Sequence, residues 1–150
     1  MTFTERITED IKQAMKAREA VKLEALRGIK KELIEARTAK AGGEEVSDAD
    51  AMKILQKMVK QRRETSAIYK EQGRPELAAA EDEQADVIAA YLPKELTAEE
   101  IEAAVKAIIA EVGATSIKEM GKVMGVASKK LAGQADGKAI SDTVKKLLNN

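Results

Sequence analysis

The chain has 150 residues, with 26 Lys plus Arg against 26 Asp plus Glu, and it contains neither histidine nor cysteine. That length fits one ordinary domain or two small ones, and the balanced charge leaves no global pull toward nucleic acid or membrane, so any electrostatic site is local. The two missing residue types remove disulfides, thiolate nucleophiles, the commonest general base and the commonest transition-metal ligands, so no metal and no cofactor is expected.

Alanine, leucine, lysine and glutamate dominate and aromatic residues make up 2%, a composition that favours helix over strand and predicts an all-α fold. A first helix is predicted over about residues 4–18, with Ile7, Ile11, Ala14 and Met15 on one face and Thr2 with Glu5 as a capping box. A second covers about 20–41 and stops at Gly42-Gly43. Ser47 caps a long third helix reaching Gln72, with Gly73 as its stop. Pro75 suits the first turn of a fourth, which ends before Pro93. These four are predicted to pack as one antiparallel helical bundle over 1–93.

Pro93 followed by Thr97-Ala98-Glu99-Glu100 marks a boundary and a new N-cap. A three-helix module is predicted over 94–150: a fifth helix carrying Ile101, Ala104, Val105, Ile108 and Val112 and closed by Gly113, a sixth starting at Ser116, and a seventh after Asp136-Gly137 with Ile140, Val144 and Leu147. No apolar run approaches the roughly 20 residues of a membrane span. The start, Met1 to Arg6, lacks a basic segment followed by an apolar one. A soluble cytoplasmic protein with no membrane partner is expected.

Glycines set among lysines, in Met120-Gly121-Lys122-Val123-Met124-Gly125 and Gly133-Gln134-Ala135-Asp136-Gly137, stand out, because glycine weakens a helix interior by about 0.5–1 kcal/mol relative to alanine. On a wheel with Lys118 at zero, Lys122 falls near 40°, Lys129 near 20° and Gly125 near −20°, opposite Met120, Val123, Met124, Ala127 and Leu131. From Ile117 onward seven lysines face three carboxylates, the footprint of a phosphate-binding surface. Two bland readings stand beside it: a solvated lysine face, and glycines that admit a close helix crossing or break the helix. The scarcity of aromatics argues against base stacking, so an RNA contact is expected to run through backbone and shape, and no DNA specificity is expected.

The two glycine-rich segments, within the frame from Glu95 to Leu148, resemble the tail module shared by the B subunit of the tRNA-dependent amidotransferase and the small YqeY-like proteins. Leu26-Arg27-Gly28-Ile29-Lys30 and Lys60-Gln61-Arg62-Arg63-Glu64 are similar to recurrent segments of the YqeY-like family, so the resemblance is nearly full length. It implies a tRNA-binding or tRNA-handling accessory role, with an amidotransferase or aminoacyl-tRNA synthetase as partner. The matching positions are Gly121, Lys122, Gly125, Lys130, Gly133, Ala135 and Gly137. With the lysine stripe they give the RNA-binding candidates Lys118, Gly121, Lys122, Gly125, Lys129, Lys130, Gly133, Gly137 and Lys138. The sequence departs from the family's usual pattern at Ala132 and Gln134, where relatives often carry lysine.

In the first region Lys53, Lys57 and Lys60 align on the third helix as a solvated stripe. Arg62 falls instead among Leu55, Met58, Val59 and Tyr69, so it is expected either to pair with an acid such as Glu35, Glu83 or Asp86 or, with Arg63, to form a second anion-binding cleft. The acidic segment Glu81-Asp82-Glu83 with Asp86 reads as a partner surface for these arginines or as a solvated face. Kinship brings an association with carbon–nitrogen ligases that use glutamine as amide donor. No catalytic residue is assigned, because the chain lacks a cysteine nucleophile, the phosphate loop GxxxxGK[ST] and a GxGxxG after a strand. Ser47-Asp48-Ala49-Asp50 is read as a helix cap rather than a calcium loop. A protein–protein adaptor for a translation enzyme is the alternative function.

Overall fold

Thr2 opens the first helix as its sequence predicts: the Thr2 hydroxyl accepts the Glu5 N–H at 3.1 Å, and the Glu5 carboxylate accepts the Thr2 N–H at 2.9 Å. Such a reciprocal cap satisfies two donors that a helix start leaves unpaired. In the computed structural model, which describes residues 1–149, this helix is α1, Phe3–Ala17. Arg18 closes it in the left-handed region at φ 58, and α2, Ala20–Ala39, follows. α2 stops two residues short of the predicted Ala41. Lys40 is already extended, and the Arg37 guanidinium donates to the Gly43 carbonyl at 2.9 Å while pairing with Glu45 at 3.1 Å.

Ser47 accepts the Asp50 N–H at 3.2 Å and starts α3, Asp48–Glu71. Asp48 and Asp50 sit in its first turn, where the helix dipole favours carboxylates. Gly73, at φ 70, reverses the chain, and Pro75 is the first residue of α4, Pro75–Ala89. A core of Ile7, Ala14, Leu26, Ile29, Leu33, Ala51, Leu55 and Ile88 joins these four helices. Each fully buried branched side chain contributes about 1.5–3 kcal/mol. Two of the chain's three aromatic residues close one end of this core. Phe3 meets Tyr91 edge-on at 6.0 Å, the Arg6 guanidinium lies 5.0 Å from the Tyr91 ring centre, and the Tyr91 hydroxyl donates to Asp10 at 2.6 Å. Burial, with Asp10 beside it, pushes the Tyr91 hydroxyl pKa upward.

Contacts divide the chain into two compact units, Met1–Leu92 and the remainder from Pro93. The second unit begins with a Thr97–Glu100 capping box on α5, Ala98–Val112, which Gly113 ends at φ 71. The sixth predicted helix does not begin as α-helix at Ser116. A 3-10 turn, Ile117–Glu119, leads into α6, Met120–Lys130. After a turn at Gly133, Asp136 caps α7, Gly137–Leu148. Ile101, Val105, Ile108, Val123, Ala127, Ile140 and Val144 form a separate core. The Leu96 N–H donates to the Gln134 carbonyl at 2.8 Å, tying the entry segment to the α6–α7 turn. The fold is therefore all-α, with no strand among the described residues. No helix of the described residues is long and apolar enough to cross a membrane.

Candidate nucleic-acid interface

The lysine stripe starts at a rigid corner. The Glu119 carboxylate accepts the backbone N–H groups of Thr115 and Ser116, the latter at 3.3 Å. Those bonds, with Lys122 nearby, hold the Glu119 carboxyl below the usual carboxylate range. The sequence marks this corner in Ser116-x-x-Glu119, a capping pattern. Glu119 thereby fixes the direction in which α6 leaves the turn, although it carries no place among the predicted site residues.

Along α6, Val123, Ala127 and the following Leu131 are buried, with Met120 and Met124 packed beside them. The opposite face consists of Lys122, Gly125 and Lys129, with Gly121 next to them and Lys118 in the preceding 3-10 turn, all exposed. A Cβ added at Gly121 or Gly125 would meet nothing within 4 Å. The helix also runs through Gly125 without a break. Neither glycine serves a helix crossing, and Gly125 does not end the helix. The crossing and helix-break readings of the glycines fall, while the solvated-face reading of the lysines stands beside a bare stretch of main chain flanked by three cations.

The other candidates divide. Lys130 pairs with Glu111 of α5, so part of its charge is spent inside the unit. Gly133 is buried at φ 77, in the left-handed region that favours glycine. It belongs to the α6–α7 turn and, unlike Lys118, Gly121, Lys122, Gly125 and Lys129, does not lie on the exposed face. Gly137 and Lys138 are exposed at the start of α7, where the Lys138 N–H donates to the Asp136 carboxylate at 3.3 Å. Lys146 lies 3.8 Å from Glu102, which also holds Lys106 at 3.5 Å. Among the described residues, Lys118, Lys122, Lys129, Lys138 and Lys145 have no carboxylate within ion-pair distance.

The arginines of the first unit are placed differently. Arg62 is half-buried, but its partner is Glu81 at 3.1 Å, not Glu35, Glu83 or Asp86. Arg63 reaches Asp82 at 3.2 Å and Asp86 at 2.6 Å, and Lys70 also reaches Asp82 at 3.6 Å. The physical reason is register: in the antiparallel α3–α4 hairpin, Arg62 and Arg63 stand opposite Glu81 and Asp82. The acidic segment is thus the arginines' partner surface. Asp86 holds the Arg63 pKa above its ordinary value, while Asp82, beside the Ser66 hydroxyl and then Arg63 and Lys70, is held low. Lys53, Lys57 and Lys60 are exposed, with no carboxylate partner among the described residues.

No group of His, Cys, Asp or Glu among the described residues could hold a metal ion. The second unit offers ammonium groups unpaired among the described residues on an exposed helix face, suited to oxyanions by charge. A family model described as Yqey-like protein matches residues 4–148. No curated protein matches the chain.

Proposed function

The chain belongs to the YqeY-like family, and from that premise we propose that it is a non-catalytic tRNA-handling protein whose second unit holds RNA backbone on Lys118, Lys122 and Lys129. One observation carries the reading: the stripe is exposed, unpaired among the described residues, and interleaved with Gly121 and Gly125, whose surfaces are open. Phosphate contacts position a nucleic acid without reading its sequence, which fits an accessory that docks tRNA for a partner such as an amidotransferase or aminoacyl-tRNA synthetase. The absence of cysteine and histidine fits a protein that leaves the chemistry to that partner.

Filter binding of total tRNA over a salt series tests this. Affinity should fall steeply with log salt, and Lys122→Glu should lower the magnitude of the slope by about 1, because each phosphate neutralised contributes roughly 0.7–0.9. Lys130→Glu should do less, since that ammonium is already held by Glu111. A flat, background response would favour the adaptor reading. That second reading has its own observation: Ile68 on α3 and Leu77 on α4 are exposed large apolar side chains on the hairpin that carries the arginine pairs. Glutamine hydrolysis or ATP turnover by the purified chain would instead support an amide-forming ligase.

A further inference from the structure

From Pro93 onward the chain contains no Phe, Tyr, Trp, His or Arg. The unit that carries the lysine stripe therefore has no planar side chain on which a base could stack. Proteins that hold single strands rely on such platforms, usually within a groove that tracks the backbone. Here the cations stand instead on the outward face of one helix. Its opposite side is anchored by Val123 and Ala127, both fully buried.

Base edges fare no better than base faces. The exposed face presents Lys118 from the preceding 3-10 turn with Gly121, Lys122, Gly125 and Lys129 of α6, and with no Asn, Gln or Arg on it, lysine's contact with guanine is the one base-edge pairing left. The Gln134 amide of this unit already donates to the Lys130 carbonyl at 3.4 Å. What the face does offer is a straight array of point charges, with Lys122 and Lys129 about 10 Å apart along the axis. Between them lies main chain that no side chain shields. A form of RNA that can be held by shape is the A-form duplex, whose wide, shallow minor groove displays 2′-hydroxyls between its two phosphate backbones.

Resting on the RNA reading above, we infer that the second unit binds double-stranded RNA by shape: Lys118, Lys122 and Lys129 on phosphates, and Gly121 and Gly125 letting the helix settle against the sugar edge. The ligand class is A-form duplex of any sequence. Single strands and individual base motifs are excluded.

The test uses the full chain and fluorescence anisotropy with four probes: two RNA duplexes of unrelated sequence, one of their single strands, and a DNA duplex of matched sequence, with total tRNA as reference. The two RNA duplexes should bind alike, within about twofold, as backbone contacts carry no sequence information. The single strand should bind about tenfold more weakly or worse, for want of stacking platforms. The DNA duplex should be weaker than the matching RNA, because it lacks the 2′-hydroxyl. Joint reversal of Lys118, Lys122 and Lys129 to Glu should reduce the salt slope on duplex RNA by about 2–3. The same variant should keep the helical circular dichroism of the parent, since all three side chains are exposed.

Equal or tighter binding of the single strand, a tenfold preference for one duplex, or equal binding of DNA would overturn the inference. Binding of tRNA without binding of either duplex would sink it while leaving the RNA reading intact. Binding of no RNA at all, tRNA included, would remove both.

Discussion

The paired arginines of the first unit and the α6 lysines of the second are used in opposite ways. In the first unit, Arg62 and Arg63 are consumed by the chain itself: Arg62 and Glu81 keep 28% and 25% of their side-chain surface, and Arg63 is shared between Asp82 and Asp86. In the second, Lys118, Lys122 and Lys129 stand exposed without a carboxylate partner among the described residues. Arginine's rigid fork suits fixed pairs within a structure, whereas lysine is a mobile, well-hydrated point charge. The contrast teaches that positive charge counted along a sequence is no guide to positive charge offered to a ligand. The α4 acids neutralise one basic segment, and among the described residues no carboxylate lies within ion-pair distance of Lys118, Lys122 or Lys129.

The sharpest way to break that comparison is to reverse one acid in each unit. Glu81→Lys leaves the half-buried Arg62 facing a like charge and should lower stability by about 2 kcal/mol, because partly buried pairs are costly to orphan. Calorimetry should register this as a fall in Tm of about 10 °C for a unit of this size. Glu111→Lys acts on a pair whose side chains retain 51% and 56% of their surface, and it should cost no more than about 0.5 kcal/mol. Equal losses would show that the first unit's pairs are as superficial as the second's.

Replacing the glycines sharpens the comparison from the other side. Gly121→Ala and Gly125→Ala meet no neighbour within 4 Å, so each should stabilise α6 by about 0.5–1 kcal/mol. If bare main chain is part of the ligand surface, the doubly substituted protein becomes more stable while its tRNA affinity falls. Thermal unfolding and the same filter assay together read both changes, and unchanged affinity would confine the contact to the lysines.

The smallest expected effect concerns acid. Glu119 is held below the ordinary carboxylate range by the Thr115 and Ser116 N–H groups. A carboxyl with a lowered folded pKa stabilises the fold at neutral pH and loses that contribution as pH falls below about 4.3 and through the folded value. The Thr115 and Ser116 amide proton resonances should therefore shift as pH is lowered through that window, and Glu119→Gln should remove the transition at those amides.

Much of this fold was legible because its signals are local. Thr2 with Glu5, Ser47, Pro75, and Thr97 with Glu100 each announce a helix start within a few residues. Gly73 and Gly113 announce stops in the same way. The apolar stripe of α6 also follows from periodicity alone, and with it the placement of Lys122, Gly125 and Lys129 on the outer face. What stayed hidden depends on tertiary register. The choice of Glu81 for Arg62 follows from how α3 and α4 align, and the diversion of Lys130 to Glu111 follows from how α5 meets α6. Gly133 looks in sequence like another glycine of the site, and only the path of the α6–α7 turn shows it facing inward.

The confinement of Phe3, Tyr69 and Tyr91 to the first unit has a practical consequence. Both tyrosines of the chain, Tyr69 and Tyr91, and its one phenylalanine lie before Pro93, so ultraviolet emission is a signal from the four-helix half alone. Far-ultraviolet dichroism sums over both halves. Denaturation followed at the two wavelengths therefore isolates the lysine-bearing half by subtraction, with no label attached and no truncation of the chain.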